Sequence, residues 1–326
     1  MPKKNISDIS RLIDIELGEF NSLFKQSLKS KVVLVDLITR YILKQKGKKV
    51  RPLLVLLASK ISGGIQNRSY RGAILVELLH TATLVHDDVV DNAETRRGFP
   101  SINAVWKNKA AVLMGDYLLA KGLLLATESE DFDFLKVISD TVRRMSEGEL
   151  LQMHKTRKLD LDEETYFRII SDKTASLLST CCEIGARAST DDKIKIEAMR
   201  SFGENLGMAF QIRDDILDFI GNKSLIGKPL GADIREKKLT LPLIFALQKA
   251  EPKLAKKILA EIKSGGKKMN VDLVIDFVKD LGGIEYANQI ANKFAETAIK
   301  SISVFEDSDA KSSLCDLVTF VVERSK

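Results

Sequence analysis

Cysteine is scarce in this chain of 326 residues, and so are proline, histidine and aromatic side chains. Cys181, Cys182 and Cys315 have neither a metal-ligand spacing nor a disulfide framework, which suits small buried side chains in a reducing compartment. His80, His86 and His154 form no metal pair. Aromatics are 6% of residues, with no stacking motif and no long arginine tract, so a formal net charge of +6 does not point to nucleic acid. Met1–Asn5 lacks an apolar signal core, and no uninterrupted apolar run approaches the roughly 20 residues of a membrane span. The expectation is a cytoplasmic protein whose dispersed positive charge meets an anionic small substrate or an anionic membrane surface. There is no Gly-x-Ser-x-Gly elbow, no dinucleotide fingerprint and no nucleophilic cysteine context. Without a covalent nucleophile, the chemistry has to come from metal-bound leaving groups and shaped cavities.

Proline is absent from Ser101 to Lys228, a window rich in Leu, Ala, Met, Glu and Lys. Helix tolerates that composition, and interior proline is what it excludes. Pro52, Pro242 and Pro252 each precede apolar runs and suit a first helical turn. Asn-Gly and Asp-Gly hairpin signals between alternating runs are also missing, so a sheet is not expected. The 3.6-residue apolar rhythm predicts helices near 6–28, 31–45, 51–62, 68–91, 101–107, 109–127, 132–155, 162–172, 174–188, 191–220, 240–249, 252–264, 271–281, 284–306 and 309–323. Several, including 68–91 and 109–127, are apolar around most of their circumference and belong inside a bundle. The fold class is therefore all-α, one large helical bundle over 1–326. Gly221–Lys238, with three glycines, a proline and four lysines, reads as a mobile loop. So many apolar helix faces also suggest a helix-packed homodimer.

What is present is acidic and paired. Asp87, Asp88 and Asp91 stand at i, i+1 and i+4 after a long apolar run, and Asp214, Asp215 and Asp218 repeat the spacing. On a helix, i and i+4 share a face, so these like charges repel one another unless a cation is present. A single such cluster reads as a solvated acidic face. Here the first ends an otherwise buried helix, and the second repeats even the apolar pair within it, Val89-Val90 as Ile216-Leu217. Oxygen-only ligands favour Mg²⁺ or Mn²⁺, and Mg²⁺ typically bridges carboxylates to phosphate oxygens. The basic residues supply the other half of a diphosphate site. Lys46, Lys48, Lys49 and Arg51 surround a glycine turn that opens a helix, and Arg96-Arg97 follows the first acidic cluster. Lys173-Thr174 sits at a helix junction, and Lys228 and Lys238 flank the glycine-rich loop. His80 is placed to line the same pocket.

These residues carry a family resemblance. The segments GKKVRP (47–52), ELLHTATLVHDDVVDNAETRRG (77–98), LMGDYLLAKG (113–122), SEGELLQ (146–152), DKTASLL (172–178), GMAFQIRDDILDF (207–219) and GKPLGADIREKKLTLP (227–242) occur in order. With them the whole chain resembles the trans-type polyprenyl diphosphate synthases, of the medium- and long-chain kind that make octaprenyl, heptaprenyl or solanesyl diphosphate. The resemblance implies an all-α isoprenoid-synthase fold with a central cavity, usually dimeric, and head-to-tail condensation of isopentenyl diphosphate onto an allylic diphosphate of farnesyl or geranyl type. It further implies that Asp87, Asp88, Asp91 and Asp214 hold three Mg²⁺ on the allylic diphosphate, with Asp215 and Asp218 in support. Arg96, Lys173, Lys228 and Lys238 would join that grip, while Lys48, Arg51, His80 and Arg97 would bind isopentenyl diphosphate. Thr174 and Gln211 would face the allylic cation, and the departing diphosphate would remove the final proton. The sequence departs from the family pattern at Lys46 and Lys237, where glycine is usual, and at Lys49, where arginine is usual.

Product length is read backwards from Asp87. Thr83, Ala82, Leu79 and Val76 lie progressively deeper along the helix, the last roughly 16 Å below the metals at 1.5 Å per residue. Short-chain members of the resembled family block the first two levels with an aromatic ring. Both are small here, which implies a medium or long all-trans product of the kind used for quinone side chains, delivered to a membrane. Leu79, Val76 or the 109–127 helix would then set the stop. A class I terpene cyclase would share the first cluster but replace the second and lack Lys48, Arg51 and Arg97. A non-catalytic partner subunit would have lost site residues, and a helical scaffold would not need two acidic clusters.

Overall fold

The computed structural model describes residues 5–45, 47, 49–96, 98–220, 230–265 and 269–324. Short helix α1 (Ile6–Ser10), capped by Asn5, leads through a 3₁₀ turn into α2 (Asp14–Ser27), α3 (Val33–Lys44) and α4 (Val50–Ser62). The long helices α5 (Asn67–Val90), α6 (Ile102–Glu128) and α7 (Phe132–Lys158) follow. Next come α8 (Glu163–Ile170), a π turn over Ser171–Ala175, α9 (Ser176–Arg187) and α10 (Lys193–Ile220). The C-terminal part comprises α11 (Ala232–Arg235), α12 (Leu241–Lys249), α13 (Pro252–Ser264), α14 (Val271–Asp280), α15 (Gly283–Ser301) and α16 (Asp309–Glu323). Helix starts follow local chemistry: the Ser101, Asp162, Asn270 and Ser308 side chains accept from the first-turn amides of α6, α8, α14 and α16. Pro242 and Pro252 sit in first turns, where a missing N–H costs nothing.

Helices α5, α4 and α9 pack together with α6 against α5, and α10 lies between α9 and α15. Two apolar cores result. The larger gathers α2, α4, α5, α6, α7, α9, α16 and the first half of α10, around side chains such as Phe20, Phe134 and Phe202 that are at most 1% exposed. The smaller gathers α8, the second half of α10 and α12–α15 around Phe219, Ile216 and Leu243. Each buried phenylalanine contributes about 2–3 kcal/mol of transfer free energy. Helix α10 runs through both, with Phe202 and Leu206 in one core and Ile212 and Ile216 in the other. The first acidic cluster ends a helix of the larger core, and the second lies at the end of α10 that enters the smaller one.

The helix pattern agrees with expectation in most places, and the differences have local causes. The predicted break between 107 and 109 is a kink inside one helix, where Lys107 takes φ 70° and ψ 163°. The break at 172–174 is the π turn. Contrary to the expectation of no sheet, Thr95–Arg96 pairs antiparallel with Phe99–Pro100 around a turn whose Gly98 has φ +79°. Two residues a side lie below anything periodicity can register. The Gly221–Lys238 loop is only partly described, since 221–229, including Lys228, lie outside the described residues. Its second half is not a loop throughout: the Asp218 carboxylate accepts from the amides of Ala232 (3.0 Å) and Asp233 (3.1 Å) and starts α11. Lys237, standing where the family pattern has glycine, takes φ 60°, a left-handed conformation that costs a side-chain-bearing residue roughly 1–2 kcal/mol.

Candidate active site

The last turn of α5 forms one wall. Asp91 ends the helix, its amide donating to the Asp87 carbonyl at 2.8 Å, and both residues are exposed. Asp88, one residue round, is buried and accepts from Arg96 Nε at 2.6 Å. The small hairpin is what returns Arg96 to α5. Burial raises the pKa of Asp88 against the pull of Arg96. Asp87 is raised by the surrounding protein and by the Glu149 carboxylate, with Lys173 opposing.

The end of α10 forms the second wall. Asp214 accepts from Arg324 Nη2 at 2.5 Å, and the Arg324 guanidinium lies 4.0 Å over the Phe210 ring. Asp215 is buried and accepts from Tyr166 Oη (2.6 Å) and Gln211 Nε2 (2.8 Å). Burial, with the nearby Asp233 carboxylate, pushes its pKa up to about 8. Asp218 is committed to the amides that start α11.

Between the walls, α7 and the π turn supply the cations and dipoles. Lys173 Nζ reaches Glu149 Oε2 at 2.5 Å and Gln152 Oε1 at 2.7 Å, and Thr174 Oγ1 donates to Gln211 Oε1 at 2.9 Å. Lys238 Nζ reaches Glu236 at 2.6 Å and also feels Asp233 and Asp91. Burial lowers the Lys238 pKa, but those three acids outweigh it and raise it overall. Lys173, Thr174, Gln211, Asp215, Asp233 and Lys238 line one cavity of about 120 Å³. A second, of about 750 Å³, is lined by Lys49, Arg51, Glu77, His80, Asp88 and Arg96 among others. The Asp88–Arg96 pair belongs to its wall, while Asp87, on the next residue, feels Lys173 of the smaller one.

The structure thus brings Lys173, Thr174, Gln211, Asp215 and Lys238 together around one cavity, with Asp87 acting on Lys173 and Asp91 on Lys238 through their charges, and Arg51, His80 and Arg96 around the other. Lys48, Arg97 and Lys228 lie outside the described residues. Val76, Leu79 and Ala82 are at most 2% exposed and belong to the larger core. Thr83 Oγ1 donates to the His80 carbonyl. At 100° per residue, Val76, Thr83 and Asp87 share a flank of α5, whereas Ala82 follows the stripe of Leu75 and Leu78, which meets Gly122 of α6. Sequence reasoning missed Glu149 and Gln152 as partners of Lys173, Tyr166 as the donor to Asp215, and Asp233. The first two stand inside a motif that was read only as a whole. Tyr166 lies 49 residues from Asp215 and Arg324 lies 110 from Asp214, with no local signal for either pairing.

Residues 32–281 match the polyprenyl synthetase family. The chain belongs to that family. It is 32% identical over 322 residues to the octaprenyl diphosphate synthase of Escherichia coli K12, covering 99% of this chain and 100% of that one. It is 35% identical over 282 residues to a short chain isoprenyl diphosphate synthase of Methanothermobacter thermautotrophicus, covering 85% and 86%. The crystal structure of a Caulobacter crescentus CB15 polyprenyl synthase complexed with calcium and isoprenyl diphosphate superposes with a TM-score of 0.91, at 31% identity over 100% of both chains. The fold is the isoprenoid-synthase fold, and the chain is a prenyltransferase that elongates prenyl chains.

The acid set can be tested for a divalent cation. Among the described residues, no three His, Cys, Asp or Glu side chains converge into a metal cage. Asp87 is nevertheless destabilised as a carboxylate by Glu149 and Asp91, charge that a cation would relieve, and every available donor is oxygen. One or two carboxylates per ion, with water and substrate phosphates completing the shell, is how Mg²⁺ is usually held. The residues fit it on those terms.

Proposed function

We propose that this polyprenyl synthetase condenses isopentenyl diphosphate, head to tail and repeatedly, with an allylic diphosphate. The observation that carries the reading is a pair of cavities, one lined by Asp215, Lys173 and Lys238, with Asp87 and Asp91 acting on those two lysines, the other lined by Asp88, Arg51, His80 and Arg96. Asp87, Asp91 and Asp214 would hold Mg²⁺, which supplies positive charge to the leaving diphosphate. The Caulobacter relative, described with calcium and isoprenyl diphosphate, supports a divalent cation here. Lys173 and Lys238 add charge to the same diphosphate in a partly enclosed site, where fixed cations act with little reorganisation. Gln211 receives the Thr174 hydroxyl and donates to Asp215, so both oxygens are pinned where positive charge develops on the allylic carbon. Arg51 and His80 hold isopentenyl diphosphate, and Arg96, which the resemblance assigns to the allylic diphosphate, lines their cavity instead.

The product is a medium- or long-chain all-trans polyprenyl diphosphate for a quinone side chain. The small side chains of Ala82 and Thr83 support this, since they leave no ring below the acids. The protein works as a cytoplasmic homodimer. Its three free thiols suit that compartment, and α6 exposes Val112, Leu113, Leu123 and Leu124 at 40–59% on the side away from α5. By length and composition α6 could also cross a membrane, but its other side packs on α5, so we assign the exposed side to a second copy. Product release then takes place at a membrane surface.

The test is incubation with isopentenyl diphosphate, Mg²⁺ and geranyl, farnesyl or geranylgeranyl diphosphate, followed by sizing of the product. Chains longer than geranylgeranyl are expected. A product that stops at farnesyl length would refute the chain-length reading, and no consumption of isopentenyl diphosphate with any primer would refute the whole proposal.

A further inference from the structure

Behind Lys173 and Thr174 lies a set of charged groups that line neither substrate cavity. Ser171–Ala175 is a π turn, with the Ser176 amide donating to the Ser171 carbonyl. The wider turn inserts one residue between α8 and α9, and without it Lys173 and Thr174 would stand about 100° from their present direction. Two glycines make room for it. A Cβ on Gly148 of α7 would lie 3.0 Å from Asp172 Cβ and 3.1 Å from the Lys173 amide nitrogen. A Cβ on Gly207 of α10 would lie 2.4 Å from Ala175 Cα.

The turn is tied from behind by one guanidinium. Arg144 Nε donates to Asp172 Oδ1 at 2.8 Å, and Nη2 donates to Ser171 Oγ and Glu204 Oε1, each at 2.8 Å. Ser171 Oγ in turn donates to Glu204 Oε1 at 2.6 Å. The Arg144 and Glu204 side chains are 23% and 21% exposed, so solvent screens them much less than a surface pair. Arg168 also approaches Asp172, at 3.8 Å, but is 67% exposed and adds little. A π turn is a strained element that persists where its surroundings hold it, and here they hold Lys173 and Thr174, which line the smaller cavity.

We propose that Arg144 is a positioning residue for prenyl transfer: through Ser171, Asp172 and Glu204 it fixes the π turn that presents Lys173 and Thr174. The inference rests on the prenyl-transfer reading and adds a site that touches neither substrate. Lysine at this position keeps the charge but offers a single ammonium in place of the planar fork that bridges three acceptors.

The experiment is steady-state kinetics of Arg144→Ala, Arg144→Lys and Glu204→Gln with each substrate varied in turn. Arg144→Ala should lose roughly 10- to 100-fold in kcat, the scale of a small misplacement at a reacting centre, and should raise KM for the allylic diphosphate. KM for isopentenyl diphosphate should stay unchanged, because Arg51 and His80 stand on α4 and α5. Arg144→Lys and Glu204→Gln should fall between Arg144→Ala and the parent chain. Parental constants in Arg144→Ala, or an equal rise in both KM values, would overturn the proposal. If Arg144→Ala does not fold by circular dichroism, Arg144→Lys decides, and parental constants there overturn it as well. A parent chain that consumes no isopentenyl diphosphate refutes the prenyl-transfer reading itself, an outcome distinct from active variants that refute only the role of Arg144.

Discussion

Ala82 is 2% exposed on the stripe of α5 that meets α6, and Thr83 shares the flank of Asp87. A ring at 82 would therefore have to grow into space bounded by α6 close beneath the acids. Ala82→Phe should shorten the product while condensation continues, at an overpacking cost of about 1–3 kcal/mol visible in a melting curve. An unchanged product distribution would count against Ala82 as the level that limits growth. A second residue-scale prediction concerns stability alone. Asp131, 4% exposed at its side chain, stands just before α7, and its carboxylate receives Arg71 (2.7 Å) and Arg68 (2.9 Å) from α5. Burial alone would raise its pKa, but the two guanidinium groups prevail and hold it below the ordinary 3.8. A depressed carboxyl contributes stability above its ordinary pKa and loses it as pH falls through the folded value. Asp131→Asn should therefore cost about 3 kcal/mol at pH 7, and the gap to the parent should close on acidification below about pH 4. Urea denaturation at pH 7 and pH 3 measures this, and a gap of equal size at both would contradict it.

Helix existence was legible in the sequence, and so were several irregularities, because both leave local marks. The apolar rhythm placed α5 and α10 within a residue or two, and the interruptions at Lys107 and at Lys173-Thr174 were visible as breaks in it. What the π turn is for was not visible. Its meaning depends on Gly148, Arg144, Glu204 and Gly207, which come from two other helices and look like ordinary helix residues. The same holds for the acids. Their spacing announced the two clusters, but that Asp88 pairs with Arg96, Asp215 with Tyr166 and Asp218 with α11 follows only from packing. Gly207→Ala tests the element directly. Its Cβ would meet the Ala175 backbone, so the π turn or α10 must shift, with an expected loss of about 1–3 kcal/mol and lower turnover. A variant with parental melting temperature and turnover would show that the turn tolerates displacement.

The whole molecule sets its reactive end where the two apolar cores meet, so that α10 carries rigidity from one to the other. The exposed stripe of α6 is left unsatisfied by this arrangement, and composition pointed to it without locating it. Leu113→Glu with Leu124→Glu should halve the solution mass measured by light scattering if that stripe is the homodimer interface. A double variant with the parental mass would place the interface elsewhere. Arg324, finally, has a practical consequence. Its side chain occupies Asp214 and lies over the Phe210 ring, and its carbonyl receives Arg213 at 2.8 Å. Anything that displaces Arg324, whether a truncation before it or a bulky fusion joined close behind it, would pull on the acidic wall itself.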